Sequence, residues 1–176
     1  MAKEFIMQMR PWFGAEEKQA LMAYMDEDGF LTEFKKTEAF EQSIAQFTGA
    51  KHCVVVNNGT ISLTLAAMAA GVEAGDEVIV PNYTMIASPN SLRMFGAVPV
   101  FVDVEPNTLC LDIALVEKAI TAKTKAIMLV VANGRAPSAG IEAFQRLCDE
   151  RDLLLIEDAA QGLGSYYSDG AHTGTK

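Results

Sequence analysis

KAIMLVVANGRAPSAGIEAFQRLCDERDLLLIEDA (residues 125–159) holds two apolar runs on either side of a helical one. KAIMLVVA (125–132) and LLLIEDA (153–159) are short and almost continuously hydrophobic, which is the pattern of strands covered on both faces. Ser138 is placed to cap an intervening helix that runs through Asp149. Strand, helix and strand at this spacing make one unit of a parallel sheet with a right-handed crossover.

The same alternation extends upstream. HCVVVN (52–57) reads as a buried strand, and Gly59 and Thr60 open an Ala- and Leu-rich helix after it. EVIVP (77–81) is the next strand, followed by a helix from Ser88 to Phe95 that Gly96 ends. VPVFVDV (98–104) precedes a helix that Asp112 starts. Five apolar strands separated by helical segments predict an α/β fold with a doubly wound, mainly parallel sheet. Residues 1–30 read as an arm and a helix carrying Leu21, Met22 and Met25, stopped by Gly29. Residues 31–176 begin a larger domain, whose first helix runs from about Glu33 with Phe34, Phe40, Ile44 and Phe47 on one face, until Gly49.

The 176 residues are 50% hydrophobic and carry a net charge of -9, so burial can offset the entropy of folding and disorder is not expected. With 14 Lys and Arg against 23 Asp and Glu, no basic face for nucleic acid is expected. No apolar run reaches the roughly 18 residues of a membrane span. The N-terminal stretch lacks the apolar core of a signal peptide. Cys53, Cys110 and Cys148 are odd in number and far apart, which fits reduced thiols in a cytoplasmic protein. With only His52 and His172 beside them, no metal site is expected.

Ligands of doubly wound sheets sit at the carboxyl ends of the strands. After the first strand, Gly59 and Thr60 at a helix start offer N–H groups and a hydroxyl to an anion. A plain helix cap is the alternative. Tyr83 and Met85 follow the second strand, and Asn133 and Arg135 follow the fourth. Glu157 and Asp158 close the fifth, pointing to opposite faces of the sheet. A carboxylate in so apolar a setting needs a cation or hydrogen-bond donors. A protonated ring nitrogen would satisfy Asp158, and helix capping or metal binding remain alternatives at this point.

NNGTISLTLAAMAAGVEAGDEVIVPNYTMIASPNSLRMFGAVPVFVDVEPNT (57–108), followed by ITAKTKAIMLV (120–130) and LLLIEDAAQGLGSYYSDG (153–170), resembles the DegT-type nucleotide-sugar aminotransferases. These perosamine-synthase-like proteins are pyridoxal-phosphate enzymes of the aspartate-aminotransferase fold. The resemblance implies that Gly59, Thr60 and the Ile61 backbone hold the cofactor phosphate. It implies that Asp158 pairs with the pyridine nitrogen and that Gln161 lies near the phenolic oxygen. Where the family stacks an aromatic ring on the cofactor this sequence has Met85, with Tyr83 as the other candidate. Asn133, Arg135 and Tyr83 become candidate substrate contacts, although VVANGRAP departs from the family's usual His and aromatic there.

The resemblance further implies a keto-sugar nucleotide of the 4-keto-6-deoxyhexose type as substrate, glutamate as amino donor, and a homodimer. The cofactor would alternate with its pyridoxamine phosphate form, in lipopolysaccharide or other surface-polysaccharide biosynthesis. By the same resemblance, the Schiff-base lysine is expected beyond Lys176, as are the last large-domain strands and the small domain. The chain is therefore expected to be the front of a longer protein, inactive alone. In the family, the strand corresponding to 53–57 pairs with one of those later strands, so it is not expected to join the other four directly. A pyridoxamine-dependent sugar dehydratase and a non-enzymatic relative with the same fold are the alternative readings.

Overall fold

The computed structural model describes residues 5, 7, 10–27 and 35–176. Gly29, Glu33 and Phe34, with the expected boundary at residue 30, lie outside them. Two compact units divide the chain, Met1–Ala39 and Phe40–Lys176. In the first, α1 (Ala15–Met25) is started by a Gly14 N–H that donates to Glu17 Oε2 at 2.6 Å. Helix α2 (Lys35–Thr48) ends before Gly49, whose positive φ of 79° reverses the chain where a side chain would be strained.

Next in order come α3 (Gly59–Ala69), β1 (Glu77–Pro81), α4 (Ala87–Arg93), β2 (Val98–Val102), α5 (Ile113–Ala119), β3 (Thr124–Val130), α6 (Ile141–Arg151) and β4 (Leu154–Asp158). The four strands form one parallel sheet in the order β2-β1-β3-β4. The chain leaves β1 towards one edge and returns past it to build the other. The order therefore reverses between β1 and β3, the position at which such folds open a crevice.

Period-two alternation sorts the strand residues into two cores. Val78, Val80, Ala126, Met128 and Ile156 face one layer, together with Ala67 and Leu92 from α3 and α4. Ile79, Ile127 and Leu129 face the other, against Val116 of α5 and Ile141, Phe144 and Leu147 of α6. Both faces of the central strands are thus covered, which is why they read as unbroken apolar runs. Asp112 caps α5 as expected, accepting from Ala114 N at 2.9 Å and Leu115 N at 3.3 Å. Asp112→Ala is expected to cost about 0.5–2 kcal/mol of stability, read from the urea midpoint.

Two expectations are corrected. Residues 52–57 form no strand, and Val54 is 78% exposed. None of the described strands lies beside the segment, so its backbone has no ladder to join; Val55 N–H donates instead to Glu41 Oε1 at 2.7 Å. Ser138 does not cap α6. Its N–H donates to Glu105 Oε1 at 2.6 Å, and the helix starts after Gly140, whose φ of 75° suits glycine. No helix among the described residues is long and apolar enough to cross a membrane.

Candidate functional site

A cleft of about 660 Å³ opens at the carboxyl end of β4 and the amino end of α3. Gly59, Thr60, Met85, Asp158, His172 and Thr173 are among the residues that line it. Its two ends differ in chemistry.

At one end lies the first turn of α3. Asn58 is its cap, with its side-chain oxygen accepting from Ile61 N at 3.0 Å. Ser62 N–H returns to the Asn58 carbonyl at 3.1 Å. The Ile61 N–H, expected among the anion donors, is thus already engaged. The N–H groups of Gly59 and Thr60 have no acceptor among the described residues. A Cβ on Gly59 would meet nothing within 4 Å, so the backbone there is open to close approach. Partial positive charge at a helix start adds to these donors.

At the other end lies Asp158, only 6% exposed. Ser88 Oγ donates to its Oδ2 at 2.7 Å, and Ala160 N–H donates to its Oδ1 at 3.2 Å. No Lys or Arg among the described residues forms an ion pair with it. A carboxylate buried this deeply, with two donors and no cation, has acceptor capacity left over on the cleft side. Side chains alternate along β4: Ile156 packs in the α3–α4 layer and Leu155 on the α5–α6 side, while Glu157 and Asp158 both reach the cleft lining. Glu157 accepts from the Tyr167 hydroxyl. Burial, followed by the hydrogen bond to Glu157, pushes that hydroxyl well above its ordinary pKa, so it remains a donor.

The wall beyond Asp158 is held by the segment 159–174. His172 is buried, and its Nε2 accepts from Gly164 N–H at 2.7 Å. That contact leaves the proton on Nδ1, which donates to the Thr173 carbonyl at 2.6 Å. Thr173 Oγ1 donates to Gly162 O at 2.7 Å, and a Cβ on Gly162 would lie 2.4 Å from that hydroxyl. Gly162 is therefore needed where this wall closes on itself.

Gln161 does not line the cleft. Its Oε1 accepts from Asn133 N–H at 2.8 Å, which ties the wall to the turn after β3. That turn places Asn133 and Gly134 at positive φ of 53° and 74°. A Cβ on Gly134 would sit 2.7 Å from Ser165 Oγ. Asn133 and Arg135 are both exposed, outside the cleft lining. Tyr83 is 50% exposed and also outside it, whereas Met85 lines the cleft and is 75% exposed. The structure thus brings together Gly59, Thr60, Met85 and Asp158. Sequence reasoning missed Asn58 as the cap and Ser88, His172 and Thr173 as supports. The only signal for Ser88 was a serine among apolar neighbours.

A cleft with open helix-start N–H groups at one end and a buried carboxylate at the other suits an elongated ligand, anionic at one end and cationic at the other. The sequence profile of the DegT/DnrJ/EryC1/StrS aminotransferase family matches residues 12–176. The chain belongs to this family.

Solved structures of similar proteins agree with the assignment. DesV from S. venezuelae, determined in complex with a ketimine intermediate, is 37% identical. The match covers 92% of this chain and 43% of DesV, with a TM-score of 0.85. 3-Amino-5-hydroxybenzoic acid (AHBA) synthase is 33% identical, over 93% of this chain and 42% of its own, with a TM-score of 0.86. GDP-4-keto-6-deoxymannose-3-dehydratase, with a trapped PLP-glutamate geminal diamine, is 29% identical. Its match covers 86% of this chain and 40% of the dehydratase, with a TM-score of 0.75. The chain therefore spans about two fifths of the length of these DegT/DnrJ/EryC1/StrS relatives. Its sheet and helices are those of an α/β large domain of the same fold.

Proposed function

We propose that the full-length protein is a pyridoxal-phosphate-dependent aminotransferase acting on a nucleotide-linked keto-sugar. The observation that carries this reading is Asp158, a buried carboxylate at the end of β4 with two donors and no cation partner among the described residues. A pyridinium nitrogen is the kind of group it lacks. The donor set fits the cofactor at its other end too, because Gly59 and Thr60 present open N–H groups to a phosphate. When bound, the cofactor would supply an electron sink for bond cleavage beside the substrate nitrogen.

The chain's own residues then have separate tasks. Gly59 and Thr60 bind the phosphate, and Asp158 holds the proton at the ring nitrogen. Met85 packs on the ring face through its polarizable sulfur, the role that aromatic residues play elsewhere in the family. Gln161, held on Asn133 N–H outside the cleft lining, braces the wall on the side of the phenolic oxygen. Asn133, Arg135 and Tyr83 contact the sugar nucleotide. We take the substrate as a 4-keto-6-deoxyhexose nucleotide, the donor as glutamate, and the setting as a homodimer in the cytoplasm serving surface-polysaccharide synthesis. The family membership and the similarity to DesV and AHBA synthase support the aminotransferase part of this reading.

The similarity to GDP-4-keto-6-deoxymannose-3-dehydratase favours a second reading, a pyridoxamine-phosphate-dependent dehydratase. Product analysis separates the two. The full-length protein, given keto-sugar nucleotide and glutamate, is expected to yield an amino sugar and 2-oxoglutarate in equal amounts. Release of ammonia with no amino sugar would instead establish the dehydratase.

A further inference from the structure

Buried hydroxyls, linked through backbone carbonyls of α4, connect the two ends of the cleft. Thr64 of α3 shares its hydroxyl proton between the carbonyls of Thr60 at 2.9 Å and Ser91 at 3.0 Å. Ser91 Oγ donates to Ser88 O at 2.7 Å. Ser88 Oγ donates to Asp158 Oδ2 at 2.7 Å. Ser88 and Ser91 are fully buried, and Thr64 is 8% exposed. The helix that presents Gly59 and Thr60 is in this way tied to the carboxylate through α4.

The direction of the chain follows from proton counting. An ionised carboxylate only accepts, so the single Ser88 hydroxyl proton is committed to Asp158. The 2.8 Å contact between Ser88 Oγ and Thr84 Oγ1 must then be a donation from Thr84. Thr84 precedes Met85, which lines the cleft. Two hydroxyls thus act in series on one oxygen of Asp158, while Ala160 N–H fixes the other. Together they set which lone pairs face the cleft. Hydrogen bonds in such a chain polarise one another and are strengthened by low local dielectric.

We propose that Ser88 is a positioning residue for the cofactor, acting through Asp158, with Thr84 as the donor that polarises it. The proposal rests on the reading of Asp158 as the partner of the ring nitrogen. Without the Ser88 hydroxyl the carboxylate is free to turn, and the proton at the ring nitrogen is held less well.

The test uses full-length protein loaded with pyridoxal phosphate carrying ¹⁵N in the ring, whose chemical shift reports ring protonation. Ser88→Ala is expected to move the shift towards the unprotonated value and to raise the cofactor dissociation constant roughly tenfold. Ser88→Thr, which keeps the hydroxyl, is expected to restore both. Thr84→Val, at a half-buried position, is expected to move the shift the same way by less, and it carries the test if Ser88→Ala fails to fold. A wild-type shift retained in Ser88→Ala, or in Thr84→Val when that variant carries the test, overturns the proposal. So does a displacement that Ser88→Thr leaves uncorrected. An unprotonated ring in the wild-type protein overturns the reading of Asp158 itself, before any variant is compared.

Discussion

Asp158→Ala is expected to raise the dissociation constant for pyridoxal phosphate by roughly 30- to 5,000-fold. That range corresponds to about 2–5 kcal/mol for truncating one partner of a buried, hydrogen-bonded charge pair. The effect is large because the carboxylate is 6% exposed and forms no ion pair with a described Lys or Arg, so its charge is free for the ring nitrogen. The cost falls on the cofactor's ring end, since Gly59 and Thr60 still meet the phosphate. Residual binding should therefore persist, but with the ring unprotonated. Equilibrium titration followed by cofactor absorbance measures the change in affinity. An unchanged dissociation constant would remove Asp158 from the account. Unfolding of the variant must be measured alongside, because the substitution also leaves the Ser88 hydroxyl without its acceptor, at about 1–3 kcal/mol.

The second large effect is structural. Phe144→Ala is expected to destabilise the protein by about 3–5 kcal/mol, the usual cost of removing a buried phenyl group and leaving a cavity. Phe144 is fully buried in α6, in the layer that also holds Ile127, Leu129 and Ile141. The layer also takes Ile79 from β1 and Val116 from α5, so the sheet side of a cavity could close only by disturbing the β1–β3–β4 register. Urea unfolding checks this directly. A loss below about 1 kcal/mol would mean that the α5–α6 layer tolerates the cavity by local rearrangement.

The central strands were legible because burial on both faces leaves no room for polar residues in them. Val78 to Val80 and Ala126 to Leu129 pack alternately into the two layers, and an unbroken apolar run is the only sequence that can do so. The segment 52–57 has the same composition and yet forms no strand. Apolar, β-branched composition records readiness to pair, whereas pairing also requires a neighbour, and none of the described strands supplies one. The start of α6 was misread because Ser138 has the residue type of a cap. Its N–H is taken by Glu105, thirty-three residues earlier in the chain, and local sequence carries no trace of that contact.

The site divides in the same way. Asp158 stood out as an acid closing an apolar strand, and Gly59 with Thr60 as a helix start at a strand end. Both signals are local. Ser88 was read only as the start of a helix, because its role depends on Asp158, seventy residues away. Gln161 and Asn133 likewise meet across twenty-eight residues, through a backbone N–H that no side-chain pattern reveals. The pair joined by the sequence in one candidate phosphate cradle, Thr60 and Ile61, is separated by the structure, since Asn58 already occupies the Ile61 N–H.

The most direct measurement is the ¹⁵N chemical shift of ring-labelled pyridoxal phosphate bound to wild-type full-length protein at neutral pH. The expected result is a protonated ring nitrogen, held by Asp158. A ring nitrogen that stays unprotonated when bound, or a protein that does not take up the cofactor at all, would contradict it.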